Sequence, residues 1–130
     1  MGDQEISRYG VERESIFLSL FGRSPQSRIL DLFLDNPLYE FTKNEILAAL
    51  GMAKVTLYRT LPDIVRSNVV VITRKIGKAN LYRLNPESDI VAHLRYIIRS
   101  YSTALALQEA GDEIPVLGDD AEKQVLVAKE

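Results

Sequence analysis

Lys54, Thr56, Tyr58 and Arg59 fall within six residues of one another, with no carboxylate among them. They offer an ammonium, a hydroxyl, a phenol and a guanidinium, the donors that phosphate oxygens and base edges accept. Arg59 suits a bidentate guanine contact, and Thr56 and Tyr58 suit phosphate oxygens or a thymine methyl. Lys43 and Asn44 come shortly before them, and Arg74, Lys75 and Lys78 shortly after. Over residues 53–83, seven cations (Lys54, Arg59, Arg66, Arg74, Lys75, Lys78 and Arg83) accompany one anion, Asp63. A single exposed cation is ordinarily just solvated. A run this one-sided points to a polyanion as ligand, because a phosphate backbone responds to the local field.

The elements that must position these groups can be read from the pattern. Ser24 followed by Pro25 is an N-cap with proline at the first helical position, and Ile29, Leu32 and Phe33 give the helix 25–35 one apolar face. Asn36-Pro37 ends it, and Leu38 to Phe41 reads as a short extended link. Thr42 and Glu45 have capping-box spacing, and Gly51 supplies a left-handed stop for the short helix between them. A third helix is expected from Ala53 or Lys54 to about Arg66, with Leu57, Leu61 and Ile64 inward. Pro62 should bend that helix or mark an irregularity, since it lacks the N–H an interior position donates. With those leucines buried, Lys54, Val55, Thr56, Tyr58, Arg59 and Thr60 point outward.

Asn68 can take the left-handed exit from that helix. Val69 to Lys75 and Ala79 to Leu84 read as the strands of a hairpin turning at Gly77-Lys78. Tyr82 reads as core rather than as a contact. Asn85-Pro86 closes the unit, and a final helix should run from about Glu87 to Glu109. In it Ile90, Leu94, Ile97, Tyr101 and Ala104 follow a 4-3-4-3 spacing widened by Ile98 and Leu105. Such a helix is about 33 Å long at 1.5 Å per residue, more than so small a domain can cover. Pairing of two copies through it is therefore expected.

Composition narrows the function classes. The chain has 130 residues, no cysteine and one histidine, His93. Disulfides, thiolate metal sites and cysteine nucleophiles are excluded, no metal or other cofactor is expected, and no nucleophile–base pair, phosphate loop or carboxylate dyad suggests an enzyme. The apolar run Val69 to Ile72, like every other in the chain, falls far short of the roughly 20 residues a membrane span needs. Arg8 precedes the apolar run Ile16–Phe21 but lies among acidic residues, so a cleaved signal peptide is not expected and a cytoplasmic location is. The net charge of −2 is unevenly spread: residues 23–83 hold ten basic and five acidic side chains, residues 84–130 four and nine.

The stretch Gly51-Met52-Ala53-Lys54-Val55-Thr56-Leu57-Tyr58-Arg59-Thr60-Leu61 resembles the recognition-helix region of winged helix-turn-helix transcription regulators. The stretch from Asn68 through Lys75-Ile76-Gly77-Lys78-Ala79-Asn80-Leu81-Tyr82-Arg83-Leu84-Asn85 resembles their wing. The likeness covers roughly residues 24–95 and is greatest to the arsenic-repressor and multiple-antibiotic-resistance regulator groups. Asn68 stands where a glycine is common, Pro62 interrupts the recognition helix, and the thiolate sensor sites of the arsenic-repressor group are absent.

The expected fold class is thus mainly α with a small β-hairpin wing. A mobile segment 1–14 precedes a winged helix-turn-helix domain 15–86, a dimerisation helix 87–110 and an acidic flexible tail 111–130. The expected function is sequence-specific binding of double-stranded DNA by a dimeric repressor, reading a palindromic operator through residues 53–66 and a 69–84 wing. DNA-binding candidates are Lys43, Asn44, Lys54, Thr56, Tyr58, Arg59, Arg74, Lys75 and Lys78. About six phosphate contacts would give a salt slope near −5. Dimer candidates are Ile90, Leu94, Ile97, Tyr101, Ala104 and Leu105. A partner protein at the acidic tail is a further possibility, and Arg23 and Arg28 are even candidates for the DNA backbone. The competing reading is a winged-helix adaptor or partition component without sequence readout.

Overall fold

The computed structural model describes residues 15–111. The expectations for residues 1–14 and for 112–130 fall outside these bounds. Five helices and one hairpin follow in order: α1 (Ile16–Phe21), α2 (Pro25–Asp35), α3 (Lys43–Leu50), α4 (Lys54–Arg66), β1 (Val70–Ile76), β2 (Ala79–Leu84) and α5 (Asp89–Glu109).

Local chemistry explains most of the boundaries. The run after Ser15 is helix, not strand, because the Ser15 hydroxyl accepts the Leu18 N–H. Ser24 caps α2 by accepting the Ser27 N–H at 3.1 Å. The Thr42–Glu45 box is complete, with N–H···O distances of 3.1 and 2.9 Å. The other oxygen of the Glu45 carboxylate accepts the Tyr39 hydroxyl at 3.0 Å. Gly51 (φ 61°) and Asn68 (φ 69°) take the left-handed exits of α3 and α4. Helix α4 runs unbroken through Pro62, its buried Leu57, Leu61 and Ile64 holding it in register. Helix α5 starts two residues later than its acidic N-terminus suggested. Asn85 Oδ1 accepts the Glu87 N–H in a turn, and Ser88 then caps the helix.

The core is one cluster. Ile29 and Phe33 of α2, Ile46 of α3, the α4 stripe, Val70, Tyr82, Leu84 and Val91 are all buried in it. Helix α2 packs on α1, α3 and α4, and the hairpin closes against α3 and α4. Phe41 adds a single bridge to β2, exchanging both backbone hydrogen bonds with Tyr82 at 2.8 Å. Its ring meets Phe33 edge-on at 5.3 Å.

The strands pair antiparallel from Val70↔Leu84 to Ile76↔Ala79, with one irregularity. Ile72 pairs with Tyr82 but Arg74 pairs with Leu81, leaving Thr73 as a bulge. The molecule is a mainly α, α+β winged-helix layout with a long C-terminal helix, as the pattern of periods implied. Two compact units divide at Tyr96/Ile97, inside α5. In the first, Val91 is the only buried residue of α5. No helix among the described residues is long and apolar enough to cross a membrane.

Candidate nucleic-acid interface

Burying the α4 stripe determines which side chains it offers to solvent. Lys54 and Arg59 are exposed, Val55 is 63% exposed and Tyr58 43%, and Thr56 is half-buried. The Thr60 hydroxyl donates to the Thr56 carbonyl at 2.8 Å, so it is engaged within its own helix. Arg59 has no anionic partner among the described residues. Arg66 pairs with Asp63 one turn back on the surface, which removes the lone anion of this stretch and one of its cations from the balance.

The turn before α4 brings the start of α3 alongside. Lys43, the first residue of α3, holds its Nζ 4.4 Å from the centroid of the Tyr58 ring, and Lys54, the first residue of α4, holds its Nζ 5.4 Å from it. Three of the expected site residues thus converge, from two helices. Asn44 is exposed one position on.

The bulge decides what the hairpin contributes. Directly paired residues share a face, and alternation along β2 puts Asn80, Tyr82 and Leu84 together. Lys75, paired with Asn80, therefore lies on the face that carries Ile72 and Tyr82. That face borders α4. An open groove of about 330 Å³ lies between them, floored by Leu61, Val65 and Tyr82 and flanked by Lys43, Tyr58, Pro62, Arg66 and Ile72. Uninterrupted alternation would have put Arg74 there and turned Lys75 away. Instead Arg74 shares the outer face with Leu81 and Arg83, and its Nε meets Glu40 Oε1 at 2.9 Å. Lys78 is exposed at the turn beside Gly77 (φ 61°), where a tight hairpin needs the left-handed conformation.

The structure therefore brings Lys43, Lys54 and Tyr58 together, leaves Arg59 exposed on the same helix, puts Lys75 on the hairpin face that borders α4, and sets Arg74 apart on the other face of the hairpin. Arg28 is also spoken for: its guanidinium donates to the Leu50 carbonyl at the end of α3, satisfying a helix-terminal acceptor. The carboxyl of Asp31, whose Oδ1 accepts the Ser15 hydroxyl at 2.5 Å, is raised by burial, with Arg23 and that hydrogen bond opposing. Among the described residues no group of three or more histidine, aspartate or glutamate side chains is placed to hold a metal.

Of the six α5 candidates, Ile90 (53%), Ile97 (41%) and Tyr101 (37%) are exposed, while Leu94, Ala104 and Leu105 are half-buried. The residue missed by the seam pattern is Val91. It is adjacent to Ile90 and reads as one more apolar position until the core is seen.

No family model matches the chain, and no curated protein matches it. Among solved structures it is similar to the crystal structure of M. tuberculosis Rv0081. The TM-score is 0.50 and the identity 20%, over 81% of this chain and 96% of that chain. At that identity the likeness concerns the fold, a winged-helix arrangement of helices and hairpin.

Proposed function

We propose that the chain is a sequence-specific double-stranded DNA-binding regulator. Helix α4 enters the major groove, with Arg59 reading a base edge. Lys43, Lys54, Lys75 and Lys78 hold the flanking phosphates. The observation that carries this reading is the Lys43–Tyr58–Lys54 cluster, with Arg59 exposed on the same helix, Lys75 on the hairpin face bordering α4, and no carboxylate lining the groove between α4 and the hairpin. A fold alone does not imply DNA binding; exposed donors on α4, Lys54 and Arg59 among them, support it.

Two copies act together, paired through Ile90, Leu94, Ile97, Tyr101, Ala104 and Leu105 of α5. The exposure of Ile90, Ile97 and Tyr101 in the single chain supports that pairing. Two α4 helices then address half-sites about one helical turn apart, and occupancy of the operator represses by exclusion.

Selecting bound duplexes from a random pool tests all of this at once. A symmetric consensus whose affinity falls steeply with salt is the expected result. Absence of duplex binding at 50 mM salt would leave a protein-contact role in its place. Sedimentation equilibrium of wild type and Ile97→Asp checks the pairing separately, the variant being expected as a monomer.

A further inference from the structure

Lysines at the first positions of α3 and α4 are electrostatically misplaced, since a helix N-terminus is the positive end of its dipole. Here two such lysines approach the same ring. Neither has a carboxylate partner among the described residues, and Glu45, the acidic residue nearest in sequence to Lys43, spends both oxygens on the Thr42 N–H and the Tyr39 hydroxyl. Both ammonium groups lie within the roughly 6 Å over which an aromatic face attracts a cation. One ring therefore draws two like charges toward itself, at a place where neither finds an acidic partner among the described residues. An anion bound between them removes the conflict.

We propose that Tyr58 is a positioning residue, its ring presenting Lys43 and Lys54 as a two-ammonium clamp for a backbone phosphodiester of duplex DNA. This rests on the DNA-binding reading above and adds the role of one residue to it. The face of the ring acts, not the hydroxyl. Tyr58→Phe should bind duplex as wild type does. Tyr58→Leu should lose about five- to tenfold in affinity at every salt concentration, because the lysines remain but are no longer pre-ordered. Its salt slope should stay unchanged, whereas Lys43→Ala with Lys54→Ala should flatten the slope by about 1.8 per subunit, or about 3.6 for a pair.

The decisive measurement is a cycle combining these changes, read by fluorescence anisotropy on a selected duplex. In the double-lysine background Tyr58→Leu should cost nothing further. An equal cost in both backgrounds, or a loss with Tyr58→Phe as large as with Tyr58→Leu, overturns the clamp while leaving DNA binding intact. Absence of duplex binding by the wild type overturns clamp and DNA reading together. In the free protein, the ε-methylene protons of both lysines should be shifted upfield by the ring in wild type and Tyr58→Phe and not in Tyr58→Leu. Unshifted lysines in the wild type also overturn the proposal, whatever the duplex does.

Discussion

Arg74 and Lys75 are neighbours in sequence, yet alanine at each should have different consequences. Five cations stand on α3, α4 or the wing with no anionic partner among the described residues: Lys43, Lys54, Arg59, Lys75 and Lys78. At about 0.9 counterions released per contact, the slope of log K against log salt should be about −4.5 per subunit and about −9 for a pair. Lys75→Ala removes one contact per subunit, so the paired protein should fall to about −7. Carrying the same slope from 1 M to 0.1 M salt makes each contact worth about eightfold in affinity, or about sixtyfold for two. Arg74→Ala should leave the slope alone. The residue is turned to the outer face and tied to Glu40, and loss of a pair this exposed costs at most about 1 kcal/mol of folding stability. Anisotropy titrations from 50 to 300 mM KCl, with thermal melts of the same samples, separate the two effects. If Arg74→Ala flattens the slope as much as Lys75→Ala does, the face assignment derived from the Thr73 bulge is wrong.

Arg59→Ala should cost about 1–3 kcal/mol of discrimination at one base-pair position, seen as a relaxed preference there in repeated duplex selection. Pro62→Ala should stabilise the domain by about 2 kcal/mol. Proline leaves the Tyr58 carbonyl without its N–H partner, a penalty of about 3 kcal/mol in a helix interior, while alanine returns about 1 kcal/mol of freedom to the unfolded chain. A rise of about 10 °C in melting temperature checks it. Asp35, raised to about 6 by burial and by the Asp31 charge, gives a pH prediction. A carboxyl with a raised folded pKa holds its proton more tightly in the native state, so its contribution is complete below about 4 and is lost as pH climbs through about 6. Solvent screening at this exposed site limits the effect to roughly 1 kcal/mol. Melting temperature should therefore be higher at pH 4.5 than at pH 7.5, and Asp35→Asn should reduce that difference.

What was legible in the sequence is what is decided locally. Ser24-Pro25, the Thr42–Glu45 box, Gly51 and Asn68 each satisfy or free backbone groups within a turn of themselves, so residue type and spacing suffice to place them. The α4 stripe was equally clear, because three buried side chains at 4-3 spacing permit one helical face. The apolar spacing carries helix across Pro62 to Arg66 in the sequence as in the structure, because burial of Leu57, Leu61 and Ile64 outweighs a single missing hydrogen bond. The site was less legible because its geometry depends on elements meeting. No local signal shows Lys43 reaching over Tyr58 across the turn, or Arg28 bending back to the Leu50 carbonyl. The choice between Arg74 and Lys75 was also hidden, since Thr73 is an ordinary strand residue and only the pairing with β2 reveals that it is passed over.

That passed-over threonine has a consequence beyond the present arrangement. A strand counts its sides in twos, so whether a bulged residue is passed over or taken into the ladder decides the side of every residue between it and the turn. Were Thr73 taken into the ladder rather than passed over, the same two basic residues would swap places, arginine beside α4 and lysine beside Glu40, with both helices and the overall composition untouched. The wing can thus be retuned by a shift of register alone, leaving the rest of the contact surface as it is.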